Sequence, residues 1–333
     1  MFEGLIGGFY DCLEPFNLTL LFLGTFLGLL VGALPGLSSP MAIIILLPVT
    51  YSLNPLPALL VMIGVYVGTK LGGSFAAILL RTPGTPASAC TALDGFPMAE
   101  KGEAGLALGY ATYGSFVGGL SSWIIAVTFI PVISAIALKS SNADIALIGI
   151  MGLVMVSAFT RGSMLKGFIG VCVGLLIGCM GMDRVDTIER FTFGSLDLLT
   201  GVPFAAALVG LFGFAVVISD LSLMKSKAEL VATKFRIKLP TFKQFFSRWK
   251  AWGIGSFMGA IVGAVPGVGA DGATWLAYGT VKNNSKNPEE FGLGNPDGVI
   301  APETANNGTT GGAMVPMLTL GIPGDASTAI MIG

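Results

Sequence analysis

The stretch GTFLGLLVGALPGL, residues 24–37, decides the fold because a similar stretch, GSFMGAIVGAVPGV, occurs at residues 255–268. Eight of the 14 letters are identical, and the other six exchange one similar residue for another. In both copies glycine recurs every fourth residue, which places the glycines on one face of a helix. The Pro-Gly pair that follows is expected to end that helix, because proline lacks a backbone donor and glycine relaxes the backbone. The chain therefore contains two related units, each with a broken helix.

Composition places these units in a lipid bilayer. Charged residues make up 11% of the chain and apolar residues 53%, and the mean hydropathy is +0.81. A soluble domain carries roughly 25% charged residues. The formal net charge is -1 and there is no histidine, which argues against a nucleic-acid partner and against imidazole chemistry. The sequence predicts a membrane protein.

Apolar segments of two lengths divide the chain. Crossing a bilayer takes about 20 mostly apolar residues, and seven segments qualify: 16–34, 57–80, 105–131, 143–160, 164–182, 198–221 and 251–266. Three shorter apolar pieces lie at 40–51, 313–322 and 325–333. Because they are too short to cross alone, we expect half-helices or re-entrant segments there. The apolar run that reaches Gly333 leads us to expect a longer protein.

Basic residues orient the two units. Residues 225–250 contain eight Lys or Arg and one acid, which indicates a cytoplasmic loop. Counting crossings back from this loop puts the N-terminus outside and makes the helix at 16–34 run inward while its twin at 251–266 runs outward. The predicted fold is thus an all-α polytopic membrane protein with two inverted repeats, each with helices broken at Pro-Gly and re-entrant hairpins.

Three regions follow from this organisation. Residues 1–224 form the first transmembrane repeat with additional scaffold helices, 225–250 the basic loop with an interfacial helix, and 251–333 the start of the second repeat. Within the loop, Phe and Trp residues at 242–252 fall near one helical face, which is typical of a helix that lies in the membrane interface. The alternative is a basic loop that only follows the positive-inside rule.

Each unit carries a second break. GGSFAAILLRTPGTPAS (72–88) follows the first Pro-Gly pair, and GGAMVPMLTLGIPGDAS (311–327) follows its twin. A break leaves free carbonyls on one side, which suit a cation, and free N–H groups on the other, which suit a carboxylate. Interrupted segments at corresponding positions of two halves are the best sequence indication of a transporter binding site. The pattern predicts a cation-coupled carboxylate symporter; the alternative is that the breaks only bend packed helices.

The predicted substrate-binding residues lie at or just after the four breaks: Pro35, Gly36, Ser38, Arg81, Thr82, Pro83, Gly84, Thr85, Ser88, Pro266, Gly267, Pro323, Gly324 and Ser327. A Lys or Arg near the second break, where Lys70 and Arg81 lie, attracts an acidic solute. Arg81 has the alternative of reaching the membrane interface. The glycine ladders 24/28/32, 255/259/263 and 170/174/178 are interpreted as close helix packing without a ligand role.

Polar residues in an apolar context predict the cation site. Glu303, Asn306, Asn307 and Thr310 form one stripe if their segment is helical, and an ionisable residue at membrane depth is a functional candidate. With Asp325 they are the predicted cation-coupling residues; a wet interfacial turn is the alternative for this segment. Asp94 is expected either to cap a turn or to bind a cation.

The absence of certain motifs and residue types from the sequence limits the possible energy sources for transport. No Gly-Lys dipeptide occurs, so the chain has no Walker A loop for ATP. No cofactor is expected, and the coupling ion is Na+ or H+. Sodium held by backbone carbonyls, Asn and Ser/Thr is slightly favoured over a proton relay, because histidine is missing and buried acids are few.

Two long stretches carry a family resemblance. LRTPGTPASACTALDGFPMAEKGEAGLALG (80–109) and GVIAPETANNGTTGGAMVPMLTLGIPGDAS (298–327), together with the two GAxPG sites, resemble the large membrane subunit of the tripartite tricarboxylate transporters. The resemblance covers essentially the whole chain. The positions that match the family pattern are Pro35, Gly36, Pro83, Gly84, Pro266, Gly267, Glu303, Asn306, Asn307, Pro323 and Gly324. Lys70, Leu71 and Arg81 depart from it, so the resemblance does not predict which carboxylate is carried.

The resemblance implies partners and a location. The large subunit of that family works with a small membrane subunit and a periplasmic solute-binding protein in the bacterial inner membrane, where it imports citrate-like or other carboxylates with a proton or sodium gradient. We therefore expect a multi-pass subunit of a binding-protein-dependent symporter. A passive channel or a structural membrane subunit is the alternative. An enzyme is not expected, because the acids Glu303 and Asp325 lie on separate elements and form no catalytic pair.

Overall fold

The computed structural model describes residues 2–137, 139, 141–159, 163–183, 186–203, 206–207, 210–211, 218 and 238–332. The regular secondary structure of this part of the chain is helical except for one antiparallel pair of two-residue strands, β1 (Gly181–Met182) and β2 (Glu189–Arg190). The prediction of an all-α membrane fold is confirmed. The boundaries at 224 and 250 stay predictions, since most of 204–237 lies outside the described residues.

The helices fall into three groups. The first contains α1 (Phe2–Leu13), α2 (Pro15–Gly32), α3 (Ser39–Thr50), α4 (Pro55–Leu80) and α5 (Ala89–Glu100). The second contains α6 (Ala104–Ala137), α7 (Asn142–Phe159) and α8 (Met164–Gly178). The third contains α9 (Phe242–Ser247), α10 (Trp249–Gly263), α11 (Gly269–Asn283), α12 (Asp297–Leu320) and α13 (Ala326–Ile332). We call α2–α5 the first unit and α10–α13 the second unit.

Within the described residues, three helices are long and apolar enough to cross a membrane: Pro15–Gly32, Pro55–Leu80 and Ala104–Ile136. All three were predicted as spans. The half-helix predicted at 40–51 is α3, and the piece at 325–333 forms α13. Most of the span predicted at 198–221 lies outside the described residues.

The half-helix predicted at 313–322 is wrong, because these residues continue α12, a 24-residue helix that begins at Asp297. Every residue from Gly298 to Met317 is buried. The wet interfacial turn considered for this segment is therefore wrong as well. A polar sequence can run through the interior here because its side chains are small or find donors on neighbouring helices.

Glycine ladders join the helices of each unit. Gly24, Gly28 and Gly32 of α2 lie on the backbone of Val61, Val65 and Thr69 in α4. In the second unit, Gly255, Gly259 and Gly263 of α10 lie on Ala301, Ala305 and Thr309 of α12. Each of these contacted residues comes 240 positions after its counterpart in α4. Close packing is thus confirmed for two ladders. At Gly170, Gly174 and Gly178, an added Cβ would meet no atom of the described chain within 4 Å.

The aromatic segment before α10 packs on the scaffold. Phe245 in α9 lies 5.5 Å from the Tyr113 ring of α6 and 4.8 Å from the Trp252 ring of α10, measured between ring centroids. The indole N–H of Trp252 donates to the Phe245 carbonyl at 2.8 Å. Phe246 and Trp249 are exposed. The aromatic residues therefore divide between a buried contact and the surface and do not share one face.

Candidate functional site

All four Pro-Gly breaks meet at one cavity of about 460 Å³. Its wall contains the segments after each break: Ser38–Pro40, Thr85–Ala87, Gly267–Asp271 and Pro323–Ala329 without Gly324 and Thr328. Tyr66 and Lys70 of α4 and Asn306 of α12 complete the lining. The volume falls within the range of about 300–1,000 Å³ that is usual for small-molecule sites.

The second break of each unit is built in the same way. The residues that follow α4 and α12, Arg81 and Gly321, are both in the left-handed region, with φ of 54° and 68°. The chain then turns at Thr85 or Asp325, whose backbone N–H donates to Ser88 Oγ at 3.2 Å or Thr328 Oγ1 at 2.9 Å. These pairs are again 240 positions apart. In the structure, Gly72 therefore corresponds to Gly312. Aligning the two Gly-Gly pairs in the sequence would instead match Gly72 with Gly311.

Gly84 explains why the Pro-Gly pair itself is hidden. A Cβ at Gly84 would overlap the carbonyl oxygen of Gly32, where α2 ends. Only glycine allows the two breaks of the first unit to approach so closely. At this break, the residues Thr85–Ala87 therefore reach the cavity, whereas Pro83 and Gly84 do not.

Lys70 places a buried ammonium on the cavity wall. Its Nζ donates to the Asn306 carbonyl oxygen at 2.9 Å and to Thr309 Oγ1 at 2.6 Å, and it lies 4.6 Å from the centroid of the Tyr66 ring. An ammonium carries three donors. Contacts within the described chain use two of them, which leaves one for a ligand in the cavity.

Asn306 and Thr85 face the cavity without partners. Asn306 is 0% exposed, and neither its side-chain oxygen nor its side-chain nitrogen has a hydrogen-bond partner in the described chain. Thr85 is 6% exposed, and its Oγ1 likewise has none. A buried polar group without a partner costs about 1–3 kcal/mol. Both side chains therefore indicate that a polar ligand or water occupies the cavity.

Two carboxylates also line the cavity. Asp325 accepts a hydrogen bond from the Tyr66 hydroxyl through Oδ2, and its Oδ1 accepts the backbone N–H of Thr328 at 2.9 Å. Asp271 lies in the first turn of α11. Among the described residues, no group of three or more His, Cys, Asp or Glu side chains is placed to hold a metal ion.

Glu303 lies behind this wall in a fully buried polar cluster. Its carboxylate accepts hydrogen bonds from Ser74 of α4, from Thr91 of α5 at 3.4 Å, from Ser115 of α6 at 2.7 Å, and from Asn307 at 3.2 Å. Four donors from four helices solvate the carboxylate in place of water. Glu303 thus ties both units to the scaffold helix α6, at one remove from the cavity.

Asp94 is a second buried anchor, and it holds a distant loop. Its Oδ1 accepts the backbone N–H groups of Gly292, Gly294 and Asn295 at 2.9, 2.9 and 2.7 Å. Its Oδ2 accepts the Tyr278 hydroxyl at 2.9 Å. Of the two roles considered for Asp94, the structure supports turn capping, although the capped turn lies almost 200 residues away along the chain.

Removal of the Asp94 carboxylate is expected to destabilise the protein. Asp94→Ala leaves three backbone N–H groups and the Tyr278 hydroxyl without their acceptor. The cost is about 1–3 kcal/mol for each group that water cannot reach, such as the N–H of the buried Asn295. Asp94→Asn keeps an acceptor oxygen and should be milder. We expect thermal unfolding in detergent to shift strongly for Asp94→Ala and weakly for Asp94→Asn. Equal unfolding temperatures for both variants and wild type would contradict this role.

The cavity gathers some of the predicted site residues and leaves others out. Seven line it: Ser38, Thr85, Gly267, Asn306, Pro323, Asp325 and Ser327. Twelve do not: Pro35, Gly36, Arg81, Thr82, Pro83, Gly84, Ser88, Pro266, Gly324, Glu303, Asn307 and Thr310. Arg81 is exposed and its guanidinium lies 5.2 Å from the centroid of the Phe96 ring, outside the cavity.

Four polar or charged lining residues were missing from the predicted substrate-binding and cation-coupling sets: Ser39, Tyr66, Lys70 and Asp271. Lys70 had a signal, because it is the one charged residue within α4. Asp271 follows Gly267 of the third Pro-Gly pair by four residues, close to the spacing of three between Gly324 of the fourth pair and Ser327. Tyr66 carried no signal, since an aromatic residue in an apolar helix is ordinarily part of the core.

Comparisons with known proteins agree with this architecture. Residues 18–333 match the model of the Tripartite tricarboxylate transporter TctA family. A relative from Agrobacterium vitis, described as an uncharacterized 52.8 kDa protein in the TAR-I ttuC' 3' region, is 39% identical over 327 residues, which is 98% of this chain and 65% of the relative. Another uncharacterized protein of that organism, in the TAR-II ttuC' 3' region, is 44% identical over 75 residues, 22% of this chain and 31% of its own length.

The chain thus spans about two thirds of the longer relative. No solved structure matches it. The family match covers nearly every residue, including both units and all four breaks, and the family is one of transporters rather than enzymes. The chain belongs to the tripartite tricarboxylate transporter TctA family.

Proposed function

We propose that the chain is the large transmembrane subunit of a binding-protein-dependent secondary transporter, which imports tricarboxylates or similar carboxylates by cation symport. Its proposed location is the bacterial inner membrane. Its proposed partners are the small membrane subunit of the same transporter and a periplasmic solute-binding protein, which delivers the solute to the outer face. Family membership supports this reading.

The observation that carries the proposal is the pairing of a buried ammonium with unpartnered polar groups in one cavity. Lys70 supplies the charge, while Asn306 and the Thr85 hydroxyl supply hydrogen bonds that the described chain does not use. The N-terminus of the 12-residue helix α3, at Ser38 and Ser39, adds a partial positive charge. A carboxylate can accept hydrogen bonds from the Lys70 ammonium, the side-chain N–H of Asn306 and the Thr85 hydroxyl together.

Transport follows from the position of the cavity between the two units. Each unit supplies two of its four lining segments, so a movement of one unit against the other would open the cavity toward one side and close it toward the other. We propose that the units are inverted repeats and that they rock around a solute held near the midplane. A passive channel or structural subunit remains the alternative; it would let solute equilibrate without accumulation.

The five predicted cation-coupling residues fall into two groups, those that line the cavity and those that do not. Asn306 and Asp325 lie on the cavity, whereas Glu303, Asn307 and Thr310 lie behind it. Thr310 Oγ1 donates to the Asn307 carbonyl at 2.6 Å, which is an ordinary bond within a helix. We propose that cations couple through the cavity residues and that the Glu303 cluster keeps α12 in place.

The test is uptake into proteoliposomes that contain the full-length protein and its small subunit, with the binding protein and a panel of labelled carboxylates outside. Sodium and proton gradients are imposed separately. Accumulation that requires one gradient and the binding protein supports the proposal. Flux that only equilibrates would favour a channel, and absence of any carboxylate flux would contradict the proposed solute class.

Asn306 offers a direct check in the same assay. Asn306→Ala removes an amide that the described chain leaves unpaired, so folding should be preserved while uptake falls. Loss of hydrogen bonds to a charged group costs about 1.5–3 kcal/mol, or roughly 10–150-fold. The exposed Asn284, whose Nδ2 donates to Thr280 O within its own helix, provides the control Asn284→Ala. Unchanged uptake for Asn306→Ala would remove Asn306 from the site.

A further inference from the structure

We propose that Asp271 and Asp325, with the side-chain oxygen of Asn306, form a sodium site that must fill before the carboxylate binds. This inference rests on the proposed function and assigns the coupling site and the order of binding. Asp271 was not among the predicted site residues, and the pairing of the two acids becomes visible only in the cavity.

The cavity wall carries a net negative charge. Its charged lining residues are Lys70, Asp271 and Asp325, so the wall carries a formal charge of -1. A carboxylate that entered this cavity would face two like charges and a single ammonium. Like charges at short range oppose binding in a partly desolvated site. A sodium ion held by the two acids brings the formal charge of the wall to zero, which lowers that repulsion and leaves Lys70 available for the solute.

The two units differ at the positions of these acids. At the position that corresponds to Asp325, the first unit has Thr85, which makes the same backbone contact with a neutral side chain. At the position that corresponds to Asp271 in the repeated 14-residue stretch and its continuation, the first unit has Pro40. Both acids therefore occur where the first unit folds without one. The shared fold does not require these acids, which points to a role in binding.

The oxygen ligands that line the cavity suit a sodium ion. Asn306 is fully buried with an unpartnered oxygen at the cavity, and that oxygen requires a partner. Carboxylate and amide oxygens are the ligands of hard cations. Calcium takes six to eight oxygens, commonly from several acids, and no cluster of three acidic side chains exists among the described residues. Two carboxylates and an amide suit a singly charged ion.

The order of binding follows from the same geometry. Asp325 accepts the hydroxyl of Tyr66, and the Tyr66 ring lies under the Lys70 ammonium. A cation at Asp325 therefore lies next to the groups that would receive the solute. Without sodium, Lys70 is the cationic lining residue that faces the two acids. Once sodium is bound, the ammonium can turn its charge toward a carboxylate.

The experiment measures binding of 22Na+ to the purified full-length protein with its small subunit, without solute, by scintillation proximity. Losing an outer-shell partner of a metal ligand already weakens binding about 10–100-fold. We therefore expect Asp271→Asn and Asp325→Asn each to weaken sodium binding by at least about tenfold. Asp271→Glu, which keeps a carboxylate, should retain more affinity. Asp197→Asn, an exposed acid outside the cavity, should bind as wild type does.

Binding of labelled citrate and related carboxylates, measured with and without sodium, tests the order. We expect no saturable solute binding until sodium is present. Solute binding at full affinity without sodium would overturn the order, and wild-type sodium binding by folded Asp271→Asn and Asp325→Asn would overturn the site. Uptake driven by protons in the absence of sodium would overturn the choice of ion.

These results separate the two proposals. Sodium-coupled carboxylate uptake with sodium affinity unchanged in both variants would refute the site while the proposed function stands. Sodium binding that depends on both acids, without uptake of any carboxylate, would refute the function while the site stands. Thermal unfolding of each variant shows that it is folded; if Asp325→Asn fails to fold, Asp271→Asn and Asp271→Glu still decide the matter.

Discussion

Replacement of Lys70 by methionine is expected to lower carboxylate uptake by about 30-fold or more, because removing one partner of a buried charge pair costs about 2–5 kcal/mol. The methionine fills a similar volume in the apolar helix but carries no charge. Uptake would lose the ammonium that faces the solute, and Asp271 and Asp325 would lose their counter-charge in the cavity. Initial rates in proteoliposomes with equal amounts of incorporated protein provide the measurement.

Arg81→Met is the matched control for Lys70→Met. Both residues are basic and lie near the second break, but Arg81 is exposed over the Phe96 ring and does not reach the cavity. We expect the Arg81 variant to retain uptake close to that of wild type. If Arg81→Met abolished uptake and a folded Lys70→Met did not, the cavity would be assigned to the wrong basic residue.

The contrast between these two residues shows what sequence can and cannot predict about the site. The position of the breaks followed from Pro-Gly, since that pair acts on the local backbone. Whether a basic side chain beside a break points into the cavity depends on helix rotation and on the left-handed turn at Arg81. Lys70 lies inside α4, nearly three turns before its end, and only the packing of α4 against α12 brings its amino group to Asn306.

The same limit applies to α12. Hydropathy predicted α2, α4 and α6 well, because a helix that faces lipid or packs on apolar side chains is itself rich in apolar residues. α12 is wrapped by other helices, so its composition reflects those neighbours. Glu303 is tolerated there because Ser74, Thr91 and Ser115 donate to it from three other helices. No local pattern announces donors that lie about 190–230 residues away.

The Glu303 cluster depends on how closely α6 approaches α12, and Gly118→Val is expected to destroy that approach. A Cβ at Gly118 would overlap the carbonyl oxygen of Thr304, and the other nearest atoms also belong to the Thr304 backbone. A flexible side chain could move aside, but a helix backbone at this point cannot. Overpacking of a well-packed interior costs about 1–3 kcal/mol and occasionally more, and we expect the upper end of this range here.

Gly119→Val is the matched control, since the neighbouring glycine in the same helix has no atom of the described chain within 4 Å of an added Cβ. Valine has a higher helix propensity than glycine at both positions, so only the contact with α12 distinguishes the two variants. We expect Gly118→Val to lower the thermal unfolding temperature sharply and to reduce the folded fraction in size-exclusion chromatography, while Gly119→Val resembles wild type.

Loss of uptake should accompany the loss of stability, because α12 carries both Glu303 and Asn306. Separating α6 from α12 would take Ser115 away from the Glu303 carboxylate, to which it donates at 2.7 Å, and from Asn307 Nδ2 at 2.8 Å. A charge in this position that keeps too few donors is costly in a low-dielectric interior. If Gly118→Val remained as stable and active as Gly119→Val, α6 and α12 could not be in contact at Thr304, and the scaffold role of the Glu303 cluster would have to be abandoned.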